Sequence, residues 1–298
     1  MKELAIIGPT ASGKSDLALR LAEAYGGIIL SIDSLSVYRE IDIASAKPSP
    51  EELARVRHFG VNALSPDVPF DVTLCFEIYR RAREAAQNES VPLIIVGGTS
   101  FYLKSLLTGL SPTPAISDAT RERAAELLED QAAAYALLTA ADPKYMARIE
   151  PTDRYRTEKM LHLYLESGMT PSAWFAAHPP VPVALPMPLY EIAVDRAALR
   201  ERIRLRTEKM LDAGLLEEVR TLEARYGREP NAMKAIGIVE VLEFFDGAVS
   251  EEEMFENIVT HTAQLAKRQQ TFNRNQFREK RVLEADALYE DAARYLAE

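Results

Sequence analysis

The sequence predicts an α/β fold: a P-loop three-layer core with a parallel sheet, plus an all-helical insertion domain and a helical C-terminal region. Three observations predict it. A loop with the spacing G-x-x-x-x-G-K-[ST], Gly8 to Ser15, stands between an apolar run and a helical pattern. Short, nearly continuous apolar runs alternate with helical patterns over the first hundred residues, as parallel strands covered on both faces do. Between two proline clusters the strand signal disappears and a charged helical pattern replaces it.

Each element follows in order. Leu4 to Ile7 is the first strand. Gly8, Pro9, Thr10, Ala11, Ser12, Gly13, Lys14 and Ser15 form the loop, and Leu17, Leu19, Leu21 and Ala22 mark a helix to about Tyr25. Ile28 to Ile32 reads as a second strand ending in Asp33. A proline-spotted loop from Lys47 to Pro50 leads to a short helix, Glu51 to Arg57. Phe76 to Gln87 reads as helix, and Leu93 to Val96 as a third strand closed by Gly97, Gly98 and Thr99. The character changes near Ser111-Pro112-Thr113-Pro114 and again at His178 to Pro188. The expected core domain is therefore residues 1–111 and 188–298, with a helical insertion at 112–187. Tyr190 to Val194 reads as one more strand, ending in Asp195. Everything after it reads as helical, broken at Gly214, at Gly227 to Pro230 and at Asp246-Gly247.

Composition narrows the function classes. The 298 residues are 47% apolar, enough for a real core. No apolar run approaches the roughly 18 to 20 residues that cross a bilayer. The first strand begins almost at once, so no leader is expected. The lone Cys75 excludes a disulfide framework and a cysteine-based zinc site. A cytoplasmic protein is the expectation. Net charge of −10 argues against general nucleic-acid affinity but leaves room for a local basic surface.

The glycines of the loop let successive N–H groups turn toward an anion, and the following helix adds its positive end. Lys14 brings a point charge, and Ser15 a hydroxyl for Mg²⁺. In open parallel sheets ligands sit beyond the carboxyl ends of the strands, so the loop, Asp33, Gly97 to Thr99 and Asp195 should converge. Asp33 would hold a metal, accept a proton or cap a turn. Gly97 and Gly98 allow close backbone approach, or mark an ordinary turn. The Leu93 to Val96 strand ends in glycines rather than a Mg²⁺-holding aspartate, which weakens an ATPase reading.

Two later helices carry candidates. In Leu199 to Leu211, Leu199, Ile203 and Met210 share a stripe onto which Arg206 almost projects. Such an arginine needs an anionic partner, either a diphosphate or a buried carboxylate. In Glu251 to Arg278, Met254, Ile258, Thr262, Leu265 and Phe272 share a face. Gln269 falls inside it and needs hydrogen-bond partners. Lys267, Arg268, Arg274, Arg278, Lys280 and Arg281, interleaved with Phe272 and Phe277, suit nucleic-acid contacts or a solvated basic face.

Taken together, GPTASGKS at 8–15, DSLSVYREIDIASAKP at 33–48, VGGTSFYLKSLLTGL at 96–110 and LAKRQQTFNRNQF at 265–277 resemble the tRNA dimethylallyltransferases of the bacterial type. The resemblance implies transfer of a dimethylallyl group from its diphosphate to the exocyclic amine of the adenosine 3′ of a tRNA anticodon. It implies that Thr10 to Ser15 hold the diphosphate with Mg²⁺ near Ser15. Asp33 would be the general base, with Thr10 and Arg206 completing the catalytic group. Asp33, Ser34, Leu35 and Ser36 would contact the extruded adenosine, and Thr99 would bridge donor and tRNA. Arg121, Asp153, Arg156 and Lys159 would touch tRNA from the insertion, and Lys267, Arg268 and Gln269 would lie along the anticodon stem-loop. The chain would act as a monomer away from membranes. Two departures are plain: the family's A-x-G-Y-[KR]-[EQ] is here Ala235-Ile236-Gly237-Ile238-Val239-Glu240, without the aromatic or the base, and its T-W-[FL]-R is here Thr271-Phe272-Asn273-Arg274. The competing readings are a small-molecule P-loop kinase using ATP and a tRNA-binding protein with a nucleotide switch.

Overall fold

The computed structural model describes residues 1–298 and divides into two compact units, 1–106 with 185–298, and 107–184. The first unit opens with β1 (Glu3–Ile7), α1 (Lys14–Tyr25), β2 (Ile28–Ser31), α2 (Pro50–Arg55), β3 (His58–Phe59), α3 (Val72–Glu89), β4 (Leu93–Gly97) and α4 (Ser100–Thr108), the last running into the second unit. The second unit holds α5 (Asp118–Leu127), α6 (Gln131–Ala141), α7 (Pro143–Met146), α8 (Arg154–Ser167) and α9 (Pro171–Ala177). The chain returns to the first unit with β5 (Leu189–Ile192), α10 (Arg196–Asp212), α11 (Leu215–Tyr226), a 3₁₀ turn (Asn231–Lys234), α12 (Ile238–Phe245), α13 (Glu251–Gln276), β6 (Arg281–Leu283) and α14 (Ala285–Ala297).

The six strands form one parallel sheet in the order β3-β2-β4-β1-β5-β6. β1 is central: Ile6 stands beside Val96 on one side and Tyr190 on the other. Every residue of β1 and β4 is buried, as strands covered on both faces require. On one face Leu4, Ile6 and Ile94 pack with Leu17 and Leu21 of α1 and Leu288 of α14. Each such side chain, fully buried, contributes about 1.5–3 kcal/mol of transfer free energy. The second unit has its own core of Ala124, Leu128, Ala134, Leu138, Met146, Ile149 and Leu161. No helix is long and apolar enough to cross a membrane.

Several expectations need correction. The region after Asp195 is not wholly helical. β6 pairs with β5 inside a run of charges, and its polarity hides it from periodicity; charges are how exposed edge strands avoid further pairing. β3 is two residues long, too short to show a period. Asp195 does not end a strand. β5 stops at Ile192, and Asp195 caps α10 by accepting the Ala197 and Ala198 N–H groups at 2.8 and 3.1 Å. α3 starts four residues before Phe76, at Val72, because Asp71 caps it from its side chain to the Leu74 N–H.

α13 differs from its expected face at the C-terminal end. Asn273 is fully buried there while Phe272 is only partly covered. The Asn273 amide donates to Glu191 Oε1 at 2.8 Å, and the Lys280 ammonium lies 3.1 Å from Glu191 Oε2. A buried polar knot therefore ties β5 to the end of α13. Lys280 is committed to it, and the exposed Arg281 pairs with Asp291, so Lys267, Arg268, Arg274 and Arg278 remain as the exposed cations of the basic end without an ion pair.

Candidate active site

The loop between β1 and α1 takes its shape from two left-handed residues, Ala11 at φ 61° and Gly13 at φ 89°. Alternating backbone handedness turns successive N–H groups toward one concavity. Lys14, the first residue of α1, is 9% exposed, and its ammonium donates to the Pro9 carbonyl at 3.2 Å. Burial pushes its pKa down to about 8; the Asp33 carboxylate pulls the other way, and Arg206 adds to the lowering. A buried ammonium facing a concave loop favours an arriving anion.

Thr10 is held from two sides. Its N–H donates to Gln269 Oε1 at 2.8 Å, and Arg206 Nη1 donates to its hydroxyl at 3.1 Å. Leu199, Ile203, Thr207 and Met210 are the buried stripe of α10, and Arg206 follows that stripe into the site. Burial lowers the Arg206 pKa, with Asp33 opposing the shift, and a guanidinium so placed stays charged. No carboxylate pairs directly with it; its side-chain partner is the Thr10 hydroxyl. Of the two partners open from sequence, the Asp33 carboxylate acts on it at longer range, without a direct ion pair. Arg202, one turn earlier, donates to the Ser12 carbonyl at 3.3 Å.

Asp33 lies two residues beyond the end of β2. Its Oδ1 accepts the Leu35 and Ser36 N–H groups at 2.9 and 3.1 Å. This fixes the carboxylate in a turn and leaves Oδ2 without a protein partner. The Ser34 N–H donates to the Thr99 hydroxyl at 3.2 Å, which joins the ends of β2 and β4. At Gly98 a Cβ would stand 2.5 Å from Gln269 Nε2, so a side chain there would push that amide aside. The close approach expected at Gly97-Gly98 is thus to a side chain of α13 and, at Gly97, to the backbone of Ile32.

Two adjoining cavities open at this point. The smaller, about 140 Å³, is lined by Ser15, Leu19, Ile29, Val96 and Ser36 among others. The larger, about 280 Å³, is lined by Ser34, Leu35, Thr99, Ile236, Ile258 and Gln269 among others. Thr10, Lys14, Asp33, Ser45 and Arg206 border both. Folding therefore brings together Thr10, Lys14, Ser15, Asp33, Ser34, Leu35, Ser36, Thr99, Arg206 and Gln269. Gly8, Pro9, Ala11, Ser12 and Gly13 shape the loop without lining either cavity. Lys267 and Arg268 are exposed on α13 beside Phe272 and Gln276.

Arg121, Asp153, Arg156 and Lys159 belong to the second unit. Asp153 caps α8, accepting the Arg156 N–H at 3.0 Å and pairing with its guanidinium at 2.7 Å. Arg121 donates to the Ile116 carbonyl, and Lys159 stands over the Tyr155 ring, which is 68% exposed.

Sequence reasoning missed Glu218. From α11 its carboxylate accepts the N–H groups of Asp42, Ile43 and Ala44 at 2.9, 2.7 and 2.9 Å. It thereby fixes the loop that carries Ser45 to the wall shared by the cavities. The pairing spans more than 170 residues and leaves no local signal. Glu40 at φ 65° marks the same loop, and its carboxylate accepts the Tyr226 hydroxyl at 2.9 Å.

A family model described as IPP transferase matches residues 36–276, and one described as isopentenyl transferase matches residues 1–62. A tRNA dimethylallyltransferase of Wolinella succinogenes is 49% identical over 292 residues, covering 98% of this chain and 97% of that protein. Its counterpart in Sulfurimonas denitrificans is 52% identical over 277 residues, 93% of each. Among solved structures, a tRNA delta(2)-isopentenylpyrophosphate transferase from Staphylococcus epidermidis superposes with a TM-score of 0.71 at 27% identity, covering 100% and 99% of the two chains. A eukaryotic dimethylallyltransferase acting on tRNA shares the fold, with a TM-score of 0.85 at 24% identity over 96% of this chain and 74% of that one. These relatives support the prenyl-transfer reading over the competing one of a small-molecule kinase using ATP. Matched along nearly its whole length by proteins about half identical to it, this chain belongs to the tRNA dimethylallyltransferase family.

Proposed function

We propose that this protein transfers the dimethylallyl group of dimethylallyl diphosphate to the exocyclic N6 amine of the adenosine 3′ of the anticodon in tRNA, releasing diphosphate. The observation that carries the reading is the shared wall: Thr10, Lys14, Asp33, Ser45 and Arg206 border two cavities at once. Joining two substrates requires the reacting groups at a common boundary with each substrate in its own space.

The donor occupies the smaller cavity, its prenyl chain against Leu19, Ile29 and Val96. The adenosine, drawn out of its stack, enters the larger one past Ser34, Leu35 and Thr99. The allylic carbon–oxygen bond breaks with its electron pair going to the diphosphate oxygen, and the N6 lone pair forms the new carbon–nitrogen bond. The amine's proton passes to Asp33 Oδ2, the carboxylate oxygen that the fold leaves uncommitted. Lys14, Arg206 and the turned loop meet the charge that builds on the leaving group.

The donor set fits Mg²⁺. Ser15 is exposed at the start of α1 and lines the smaller cavity beside Asp16. No group of three metal-binding side chains exists to form an all-protein cage, and Mg²⁺ is typically held by one or two protein oxygens, substrate phosphates and water. Bound there, it would neutralise diphosphate charge. On the tRNA side, Lys267 and Arg268 follow the stem-loop while Gln269 of the same turn braces the P-loop. Arg121, Asp153, Arg156 and Lys159 supply contacts from the helical insertion at 112–187. The protein works in the cytoplasm as a monomer.

The test is mass analysis of tRNA incubated with the protein, Mg²⁺ and dimethylallyl diphosphate. One nucleoside gains a dimethylallyl unit in place of a hydrogen. Phosphoryl transfer from ATP with no prenylated nucleoside would overturn the reading.

A further inference from the structure

The divergent segment Ala235 to Glu240 has a defined structure. Gly237 is buried with φ 93°, and its N–H donates to Glu240 Oε2 at 2.6 Å. Glu240 is 2% exposed, and its other oxygen, Oε1, lies 2.6 Å from His261 Nδ1. A buried carboxylate with one donor is costly, and the imidazole supplies the second. His261 sits on α13, the helix that also brings Ile258, Thr262, Leu265 and Gln269 to the larger cavity. The clasp therefore ties the Lys234-Ala235-Ile236 stretch of the cavity wall to the helix that forms its neighbouring side.

Lys234 is the cation on this stretch. It ends the 3₁₀ turn, is exposed, lines the cavity that holds Asp33, and has no carboxylate within ion-pairing distance. In a chain of net charge −10, an exposed ammonium without an acidic partner stands on the wall of that cavity. The family's base five residues later is here Val239. We propose that Lys234 binds a backbone phosphate of the acceptor RNA next to the target nucleoside, and that the Glu240–His261 clasp is the positioning device that holds it there. The inference rests on RNA being the acceptor.

The experiment measures steady-state transfer to an anticodon stem-loop RNA at several salt concentrations, and RNA binding by fluorescence anisotropy without donor. Lys234→Ala raises KM and Kd for the RNA about fivefold, leaves KM for dimethylallyl diphosphate unchanged, and reduces the slope of log Kd against log salt by about 0.7 to 0.9, as loss of one phosphate contact does. Lys234→Arg stays within about twofold of the parent, since charge rather than shape is needed. His261→Ala raises the RNA KM with kcat nearly constant, and His261→Asn, whose amide can donate to Glu240, restores it. Unchanged RNA affinity and salt slope in Lys234→Ala would overturn the phosphate contact; an equal rise in donor KM would do the same. A rise in Lys234→Ala with none in His261→Ala would overturn the clasp. Failure of the functional reading itself is separate: the parent protein would then prenylate no RNA.

Discussion

The Gln269 side-chain carbonyl accepts the backbone N–H of Thr10 at 2.8 Å, across 259 residues of sequence. The long helix α13 is therefore tied to the phosphate-binding loop. The Gln269 amide nitrogen meanwhile packs against Gly98, where a Cβ would stand 2.5 Å from it. One side chain joins the ends of β1 and β4 to α13.

Gln269→Ala leaves the Thr10 N–H unpartnered and lets the loop relax. KM for the donor rises about 2- to 10-fold, the worth of a typical neutral hydrogen bond. Gln269→Glu keeps an acceptor but places a negative charge beside the diphosphate, so its donor KM rises further. Donor KM measured at saturating RNA ranks the three proteins, and Glu milder than Ala would contradict the arrangement.

Asp33→Asn isolates the proton-accepting oxygen. Asparagine Oδ1 still accepts from Leu35 and Ser36, so the turn survives, while the amide nitrogen replaces Oδ2. Single-turnover transfer falls about 10²-fold or more, the scale of general-base loss, with donor Kd unchanged. A rate near that of the parent removes Asp33 from the role.

Donor affinity depends on the protonation of Lys14. Its ammonium loses its proton near pH 8, chiefly because it is buried. Below that pH the lysine is charged and donor affinity is flat. Above it the free protein must first take up a proton to bind, and affinity weakens by up to about tenfold per pH unit until the pKa of the bound state is passed. Calorimetric titration from pH 6.5 to 9.5 shows the bend near 8. Lys14→Met binds more weakly throughout and lacks the bend.

Removing the Glu218 carboxylate strands three N–H groups at once. Glu218→Ala destabilises the protein by about 1–3 kcal/mol in urea unfolding, and Glu218→Gln by less, since its carbonyl still accepts. Because Ser45 moves with this loop, donor KM rises in the alanine variant as well. An alanine variant as stable as the parent would show that the loop holds itself.

Local chemistry wrote much of this molecule into its sequence. The P-loop, the parallel strands β1, β2, β4 and β5, the helical stretch between the proline clusters and the buried stripe of α10 all rest on spacings within a few residues. Arg206 was legible because a charged residue stood on an apolar stripe, and Asp33 because it followed an apolar run. Pairings over long separations were not legible. Gln269 showed itself as a polar residue needing a partner, but only folding chose Thr10. Glu218, the Glu240–His261 clasp and the Asn273–Glu191–Lys280 knot have no local signature, since each hydrogen bond joins groups that sequence spacing leaves independent. β6 stayed hidden because an edge strand needs only a neighbour's free backbone groups, which no side-chain pattern announces. The amino-acid order by itself determined which groups could bind an anion and accept a proton. Tertiary structure alone decided that they share one wall between two cavities, because that depends on where the ends of β1, β2 and β4 meet the distant helices α10 and α13.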